Sequence, residues 1–316
     1  MSTDTQPTAT VAAFRERIAC ILCGGTNLET MWKGSFGAAP VKEWLQGFRY
    51  DADVDAALTG RQFERVACKK CGMTFHRRIL EDAWLKVLYE RWISKSQIEA
   101  FERARSQGQG TTRTDDVFTA GVQFIKHLLR LRHFVPSTNG EALRVLDFGC
   151  GDGRFIALAA SLGFASYGID FSATRQARAH DTGVNIVGSL EEFDTLGVSR
   201  LHAATMFEVL EHVSDPLPLL RALAARLRPS GVLLLEVPDC RGITVPSTFD
   251  QFHAVQPLEH INNFTPESLA AMCERAGFVP LPRVPAHVTT SPVSVLLTEA
   301  TRFVRRPTTS RYFRKA

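Results

Sequence analysis

The stretch LRVLDFGCGDGRF, residues 143–155, decides how the rest of the chain is read. Its first part, LRVLDF (143–148), is an apolar run with the length of a buried strand. Asp147 stands near the end of that run. Gly149, Gly151 and Gly153 follow, and a helical pattern starts at Arg154. Glycines spaced this way let the backbone turn tightly and approach a ligand with no Cβ in the way. A dinucleotide fingerprint needs a sixth-position glycine where this chain has Arg154, so that frame fits poorly. The frame that fits is D-x-G-x-G-x-G.

Outward from this turn, short apolar runs alternate with helical segments. RFIALAASLG (154–163) reads as a helix, ASYGID (165–170) as a strand, TRQARAH (174–180) as a helix and VNIVG (184–188) as a strand. HAATMFEV (202–209) is expected as a strand, DPLPLLRALAARL (215–227) as a helix, GVLLLEV (231–237) as a strand and TPESLAAMCERAG (265–277) as a helix. FVPLPRV (278–284) and SPVSVLLTEA (291–300) are expected as a closing antiparallel pair. Alternation of this kind means a mostly parallel sheet with helices on both faces.

The D-x-G-x-G-x-G turn resembles motif I of the class I S-adenosylmethionine-dependent methyltransferases. TMFEVLEHVSDP (205–216) looks like the family's fourth-strand region, and LRPSGVLLLEVPD (227–239) like the helix-turn-strand that follows it. HINNFTPESLAAMCERAGF (260–278) is similar to the family's H-x-N-x-F-T-x-x-S-L…GF pattern. The resemblance covers roughly residues 120–300. It implies an α/β fold, a Rossmann-like seven-stranded sheet, mostly parallel with an antiparallel last strand and helices on both faces. It also implies methyl transfer from S-adenosylmethionine to a small molecule: a sugar, glycan precursor or secondary metabolite.

That cofactor has an ammonium, a carboxylate and a sulfonium but no phosphate, so a carboxylate at a strand end suits it without a P-loop lysine. By the resemblance, Asp147, Gly149, Cys150, Gly151 and Gly153 form the cofactor turn. Asp170, with Phe171 beside it, ends the second strand. An acid there can accept from both ribose hydroxyls; the alternative is a helix N-cap beside Ser172. Ser189 and Leu190 would hold the adenine edge, and Phe207 and Glu208 would line the pocket near the sulfonium.

Seven cysteines are present, and four form two C-x-x-C pairs, Cys20/Cys23 and Cys68/Cys71, each followed by glycine. A two-residue gap lets two thiolates reach one tetrahedral ion, so two such pairs predict a closed structural zinc site. The arrangement resembles the zinc module that precedes sugar C-methyltransferase domains. Trp32, Phe36, Trp44, Phe48 and Tyr50 are expected either as that module's core or as a cover for a substrate pocket.

Two Glu-His pairs are candidate bases. The sugar C-methyltransferases carry a Tyr-His-Glu-His run whose Glu-His end is catalytic; here the run is Pro257-Leu258-Glu259-His260. Glu259 and His260 are therefore the first candidates and His212, after Glu211, the lesser one. His253 sits in the same insertion and could equally be a surface residue.

The 316 residues, 45% apolar and 22% charged, suffice for one large domain and a smaller one. The expected division is a disordered tail at 1–14, a zinc-binding module at 15–80, a helical connector or lid at 81–135, the methyltransferase domain at 136–300 and a basic tail at 301–316. SQGQGTTRTDD (106–116) is expected as a loop, with helices at about 81–104 and 117–134. A net charge of +4, and no dense Lys/Arg stripe with interleaved aromatics over residues 1–80, disfavour the alternative of an RNA methyltransferase. A non-catalytic binding protein with the same fold is the third reading. No apolar run is long enough for a membrane span. MSTDTQPTAT (1–10) lacks the order of a secretory signal, which leaves the cytoplasm as the expected compartment. The basic residues from Arg302 onward are expected as a solvated tail, with contact to an anionic membrane surface as the alternative.

Overall fold

A computed structural model describes residues 11–51, 53–93, 113–135, 140–172, 175–177, 184–288 and 308–316. The chain divides into two compact units, Met1–Asp116 with Cys240–Phe264, and Val117–Asp239 with Thr265–Ala316. Neither unit is continuous in sequence.

The first unit opens with β1 (Phe14–Glu16), β2 (Leu28–Ser35), α1 (Val41–Gln46), α2 (Asp53–Ala57), β3 (Gln62–Cys68), β4 (Thr74–His76), β5 (Arg78–Leu80) and α3 (Asp82–Val87). β2, β3 and β4 form an antiparallel sheet, while β1 pairs with β5. The order begins earlier than the expected tail boundary. Ala12 is buried, and its N–H donates to the Ala57 carbonyl at 2.8 Å. The reason is the edge of β5, whose backbone groups need partners that Phe14–Glu16 supply. The helix expected over 81–104 runs as α3, then as a wider π turn over Leu88–Trp92; residues 94–104 lie outside the described ones. Trp84, Leu88 and Trp92, at helical spacing, are all buried. They join Phe36, Phe48, Tyr50 and Phe63 in one core, with Trp32 and Trp44 packed partly buried against it.

The second unit begins with α4 (Arg113–Phe134), which starts inside the segment expected as a loop. β6 (Arg144–Phe148), α5 (Arg154–Ser161), β7 (Ala165–Ile169), β8 (Asn185–Val187), α6 (Leu190–Thr195), β9 (Leu201–Phe207), α7 (Pro216–Arg226) and β10 (Leu227–Glu236) follow close to the expected places. Residues 175–177 are helical, and the remainder of the expected 174–180 helix falls largely outside the described residues. β6 pairs in parallel with β7 and β9, β7 with β8, and β9 with β10. The centres of β6 and β9 and the Val232–Leu235 run of β10 are buried, as strands covered on both faces must be.

The chain then returns to the first unit, where α8 (Phe249–Val255) and β11 (Asn262–Asn263) complete a sheet ordered β11-β4-β3-β2. It re-enters the second unit at α9 (Pro266–Arg275), whose start is fixed by a capping box between Thr265 and Ser268. β12 (Phe278–Pro280) and β13 (Ser310–Lys315) close a seven-stranded sheet ordered β12-β13-β10-β9-β6-β7-β8. β13 is antiparallel to both neighbours.

Here the structure corrects the sequence reading. Residues 310–315, expected as part of a solvated basic tail, are a strand that pairs antiparallel with β12; the expected partner, 291–300, lies outside the described residues. Tyr312 and Phe313 are buried in the sheet while Arg311, Arg314 and Lys315 reach carbonyls at its margin. The mixture of aromatic and basic residues over RYFRK is the strand signal, masked by the charge. Among the described residues, no helix is long and apolar enough to cross a membrane.

Candidate functional site

In the second unit, the end of β6 turns sharply onto β7. The N–H groups of Gly149 and Cys150 both donate to the Ile169 carbonyl, at 2.7 and 3.0 Å. Gly149, Gly151 and Gly153 all have positive φ, at 77°, 56° and 77°. A Cβ on Gly149 would stand 2.4 Å from a Val209 methyl, so this position requires glycine twice over. The Cys150 thiol packs toward β7, where a Cβ on Gly168 would meet it at 2.6 Å. Cys150 thus offers its backbone to the turn, and its side chain is a packing element.

Asp147 and Asp170 stand at the ends of the adjacent parallel strands β6 and β7. Asp147 is buried and accepts from the Thr205 hydroxyl at 2.7 Å. Burial raises its carboxyl to about 7, against the pull of Thr205, and the charge of Asp170 adds to the rise. Asp170 is buried too. One of its oxygens accepts from Gly151 N–H and the other from Ser172 N–H, both at 2.9 Å. The oxygen that accepts from Gly151 also lies 3.5 Å from the Arg175 guanidinium.

Phe171, beside Asp170, is 64% exposed. Ser189 caps α6 by accepting from Glu192 N–H at 3.2 Å, while Leu190 is buried. A side-chain role for Ser189 toward a ligand competes with that cap. Phe207 ends β9 against Phe124, His127 and Phe155. Glu208 follows with φ 53°, a left-handed conformation unusual for a residue with a side chain, and its N–H donates to the Glu236 carbonyl at 2.8 Å. Strain of this kind concentrates at functional sites.

A family described as "Methyltransferase domain" matches residues 122–282, half of the chain. The chain belongs to this methyltransferase family. A ubiquinone biosynthesis O-methyltransferase of Xanthomonas axonopodis is 35% identical over 114 residues, which is 34% of this chain and 48% of that protein. One from Xanthomonas campestris is 38% identical over the same length. The chain spans about half the length of the curated relatives it matches. Among solved structures, a SAM dependent methyltransferase from Archaeoglobus fulgidus aligns with a TM-score of 0.40 at 22% identity, covering 61% of this chain and 94% of its own. The plantazolicin methyltransferase BpumL, solved with SAH, aligns with a TM-score of 0.47 at 12% identity, covering 73% and 93%.

In this chain the two cysteine pairs meet within the first unit. The four Sγ atoms of Cys20, Cys23, Cys68 and Cys71 lie within 4.8 Å of one another. Cys20 is 3.5 Å from Cys71, and Cys23 is 3.5 Å from Cys68. The two turns are built alike. The Cys20 carbonyl accepts from Gly24 N–H and the Cys68 carbonyl from Gly72 N–H, both at 2.8 Å. Gly24 and Gly72 share similar positive φ, at 71° and 74°. Sulfurs around an ion at about 2.3 Å in a tetrahedron stand about 3.8 Å apart, so the donor set fits zinc.

The candidate bases divide between the units. His212 lies in the second, on a short 3-10 turn after β9, half-buried with Nε2 3.6 Å from Glu211. Glu259 and His260 lie in the first. The Glu259 carboxylate is buried, accepting from Tyr50 at 2.6 Å and Arg49 at 2.7 Å. That arrangement anchors it and holds Arg49 more firmly protonated. His260 is buried, its Nδ1 3.3 Å from the Ala254 carbonyl and its ring 5.3 Å from that of His253, which stacks in turn on Phe48.

Sequence reasoning missed two buried arginines that fasten this return segment. Arg17 donates to the His76 and Ile261 carbonyls and, at 2.7 Å, to Asn262. Arg65 donates to Asn263 at 2.7 Å and to the Ile243 carbonyl at 2.5 Å. The signal available was Asn262-Asn263 after His260, two adjacent amides with no turn to serve. Also missed were His127 of α4, Glu236 of β10 and Tyr312 of β13.

Proposed function

We propose that the chain transfers a methyl group from S-adenosylmethionine to a small-molecule acceptor of the sugar, glycan-precursor or secondary-metabolite class. One observation carries this reading: two buried aspartates at neighbouring strand ends flank a turn whose glycines keep its backbone open. The cofactor supplies an activated sulfonium methyl, so the protein's part is binding, alignment and proton removal. Asp147 serves the ammonium, Asp170 and Phe171 the ribose and adenine, and the backbone after Ser189 the adenine edge. Leu190 packs beneath that edge, and Phe207 and Glu208 face the sulfonium end. The names of the Xanthomonas relatives make a hydroxyl the acceptor atom to try first.

Zinc in the Cys20–Cys23–Cys68–Cys71 cage is structural in this reading, because four sulfurs leave no open position. His260 and His212 are the candidate bases or substrate ligands, and Glu259 positions the segment that carries His260. The cytoplasm, where thiols stay reduced, is the compartment in which such a cage persists.

Calorimetry with S-adenosylmethionine and S-adenosylhomocysteine tests the reading. Micromolar binding that is lost in Asp170→Asn supports it. No binding at millimolar cofactor overturns it in favour of a non-catalytic fold relative. Undiminished turnover in His260→Ala removes that residue from the chemistry.

A further inference from the structure

Three side chains from three elements of the second unit meet behind Glu208. The Tyr312 hydroxyl of β13 lies 2.6 Å from Nδ1 of His127, and Nε2 of His127 lies 3.4 Å from the Glu236 carboxylate at the end of β10. A carboxylate beside Nε2 favours the N–H there, so Nδ1 accepts from Tyr312. The imidazole is buried against Phe207 and Tyr312, which fixes its orientation. Glu236 keeps part of its side chain accessible, at 39%. Glu208 is exposed, and its strained backbone is tied to Glu236 by the N–H to carbonyl bond.

We propose that Glu208 accepts the proton of the methyl acceptor, and that Glu236, His127 and Tyr312 are positioning residues that hold a negative charge beside it. The inference rests on the methyltransferase reading and adds to it the proton's destination. As the acceptor's lone pair forms a bond to the methyl carbon, the carbon–sulfur bond breaks and its electrons go to sulfur. The acceptor's O–H or N–H proton passes to the Glu208 carboxylate, which later releases it to water.

The two carboxylates are pushed apart in opposite directions, the pattern of a base and its partner. Protein crowding and then the charge of Glu236 raise Glu208 to about 7, with Glu211 of the following turn pulling the other way. Hydrogen bonding from His127, then from Ser310, with the nearby charge of Arg130, lowers Glu236 against its burial. A carboxylate near 7 is a far stronger base than an ordinary one and is still about half ionised near neutral pH.

The test is a pH titration of the full-length protein labelled with 13C at glutamate carboxyls, with Glu208→Gln or Glu208→Asp assigning the resonance. Glu208 is expected to titrate at about 7 and to fall toward the ordinary carboxylate range in Glu236→Gln. His127→Asn and Tyr312→Phe should lower it less. S-adenosylmethionine, a cation, should lower the midpoint, and neutral S-adenosylhomocysteine should not. An ordinary carboxylate midpoint, or equal shifts with the two compounds, overturns the inference. Should neither compound bind by calorimetry, the methyltransferase reading itself fails; binding without any response at Glu208 defeats this inference alone.

Discussion

Tyr50 donates its hydroxyl to Glu259 at 2.6 Å, joining two distant parts of the chain. Arg49 takes the other carboxylate oxygen, so the buried Glu259 charge has a donor at each oxygen. Removing the tyrosine hydroxyl takes one of these donors away. Tyr50→Phe should cost about 1–3 kcal/mol in urea unfolding. Arg49→Met should cost more, about 3–5 kcal/mol, because it strands the charge. Unchanged midpoints in both variants would show that Glu259 is not anchored in this way.

The cysteine cage makes its own prediction. Structural zinc contributes on the order of 10 kcal/mol to a small fold. Cys68→Ser, or prolonged chelation, should therefore abolish stoichiometric zinc and unfold the first unit. Elemental analysis together with a thermal melt reads both effects, and wild-type metal content in the variant contradicts the assignment.

Gly149 and Gly140 form a matched pair of substitutions. Both have left-handed φ, at 77° and 70°, but only Gly149 has a neighbour where a Cβ would go. Gly140→Ala should cost about 1–2 kcal/mol, the left-handed strain alone. Gly149→Ala adds a clash with Val209 in the cofactor turn and should lower affinity for S-adenosylhomocysteine at least about tenfold, or about 1.4 kcal/mol. Equal affinities in the two variants would detach the turn from cofactor binding.

Asp147 gives a pH signature. Its carboxyl is raised to about 7 in the fold, from an ordinary value of 3.8, so the folded state holds a proton that the unfolded state has lost between those limits. Its contribution is full below about pH 4 and declines as pH rises to about 7, by up to a few kcal/mol. Asp147→Asn should flatten the decline between those limits in urea titrations. A bound ammonium reverses the preference, so cofactor affinity should rise with pH up to about 7 in wild type and lose that dependence in the variant.

The second unit is largely legible in the sequence because its strands are buried on both faces and read as apolar runs. The acids that end them stand out by contrast. Asp147 and Asp170 are found this way, and Glu236 carries the same mark at the end of LLLEV. Its role is hidden because its partners, His127 and Tyr312, come from elements far before and far after it in the chain. The cysteine spacing likewise announces a cage. The membership of 240–264 in the first unit is not legible, since two residues of β11 carry no periodicity. β13 is hidden by its arginines, whose charged heads reach carbonyls at the sheet margin.

The return of Asn262 and Asn263 to the sheet of the first unit bears on how this chain can be taken apart. A graft of residues 11–93 onto a foreign host would transplant the cysteines intact but deprive the buried Arg17 and Arg65 of their acceptors at Ile243, Ile261, Asn262 and Asn263, encoded far downstream. Anyone recombining such chains must therefore move both pieces together.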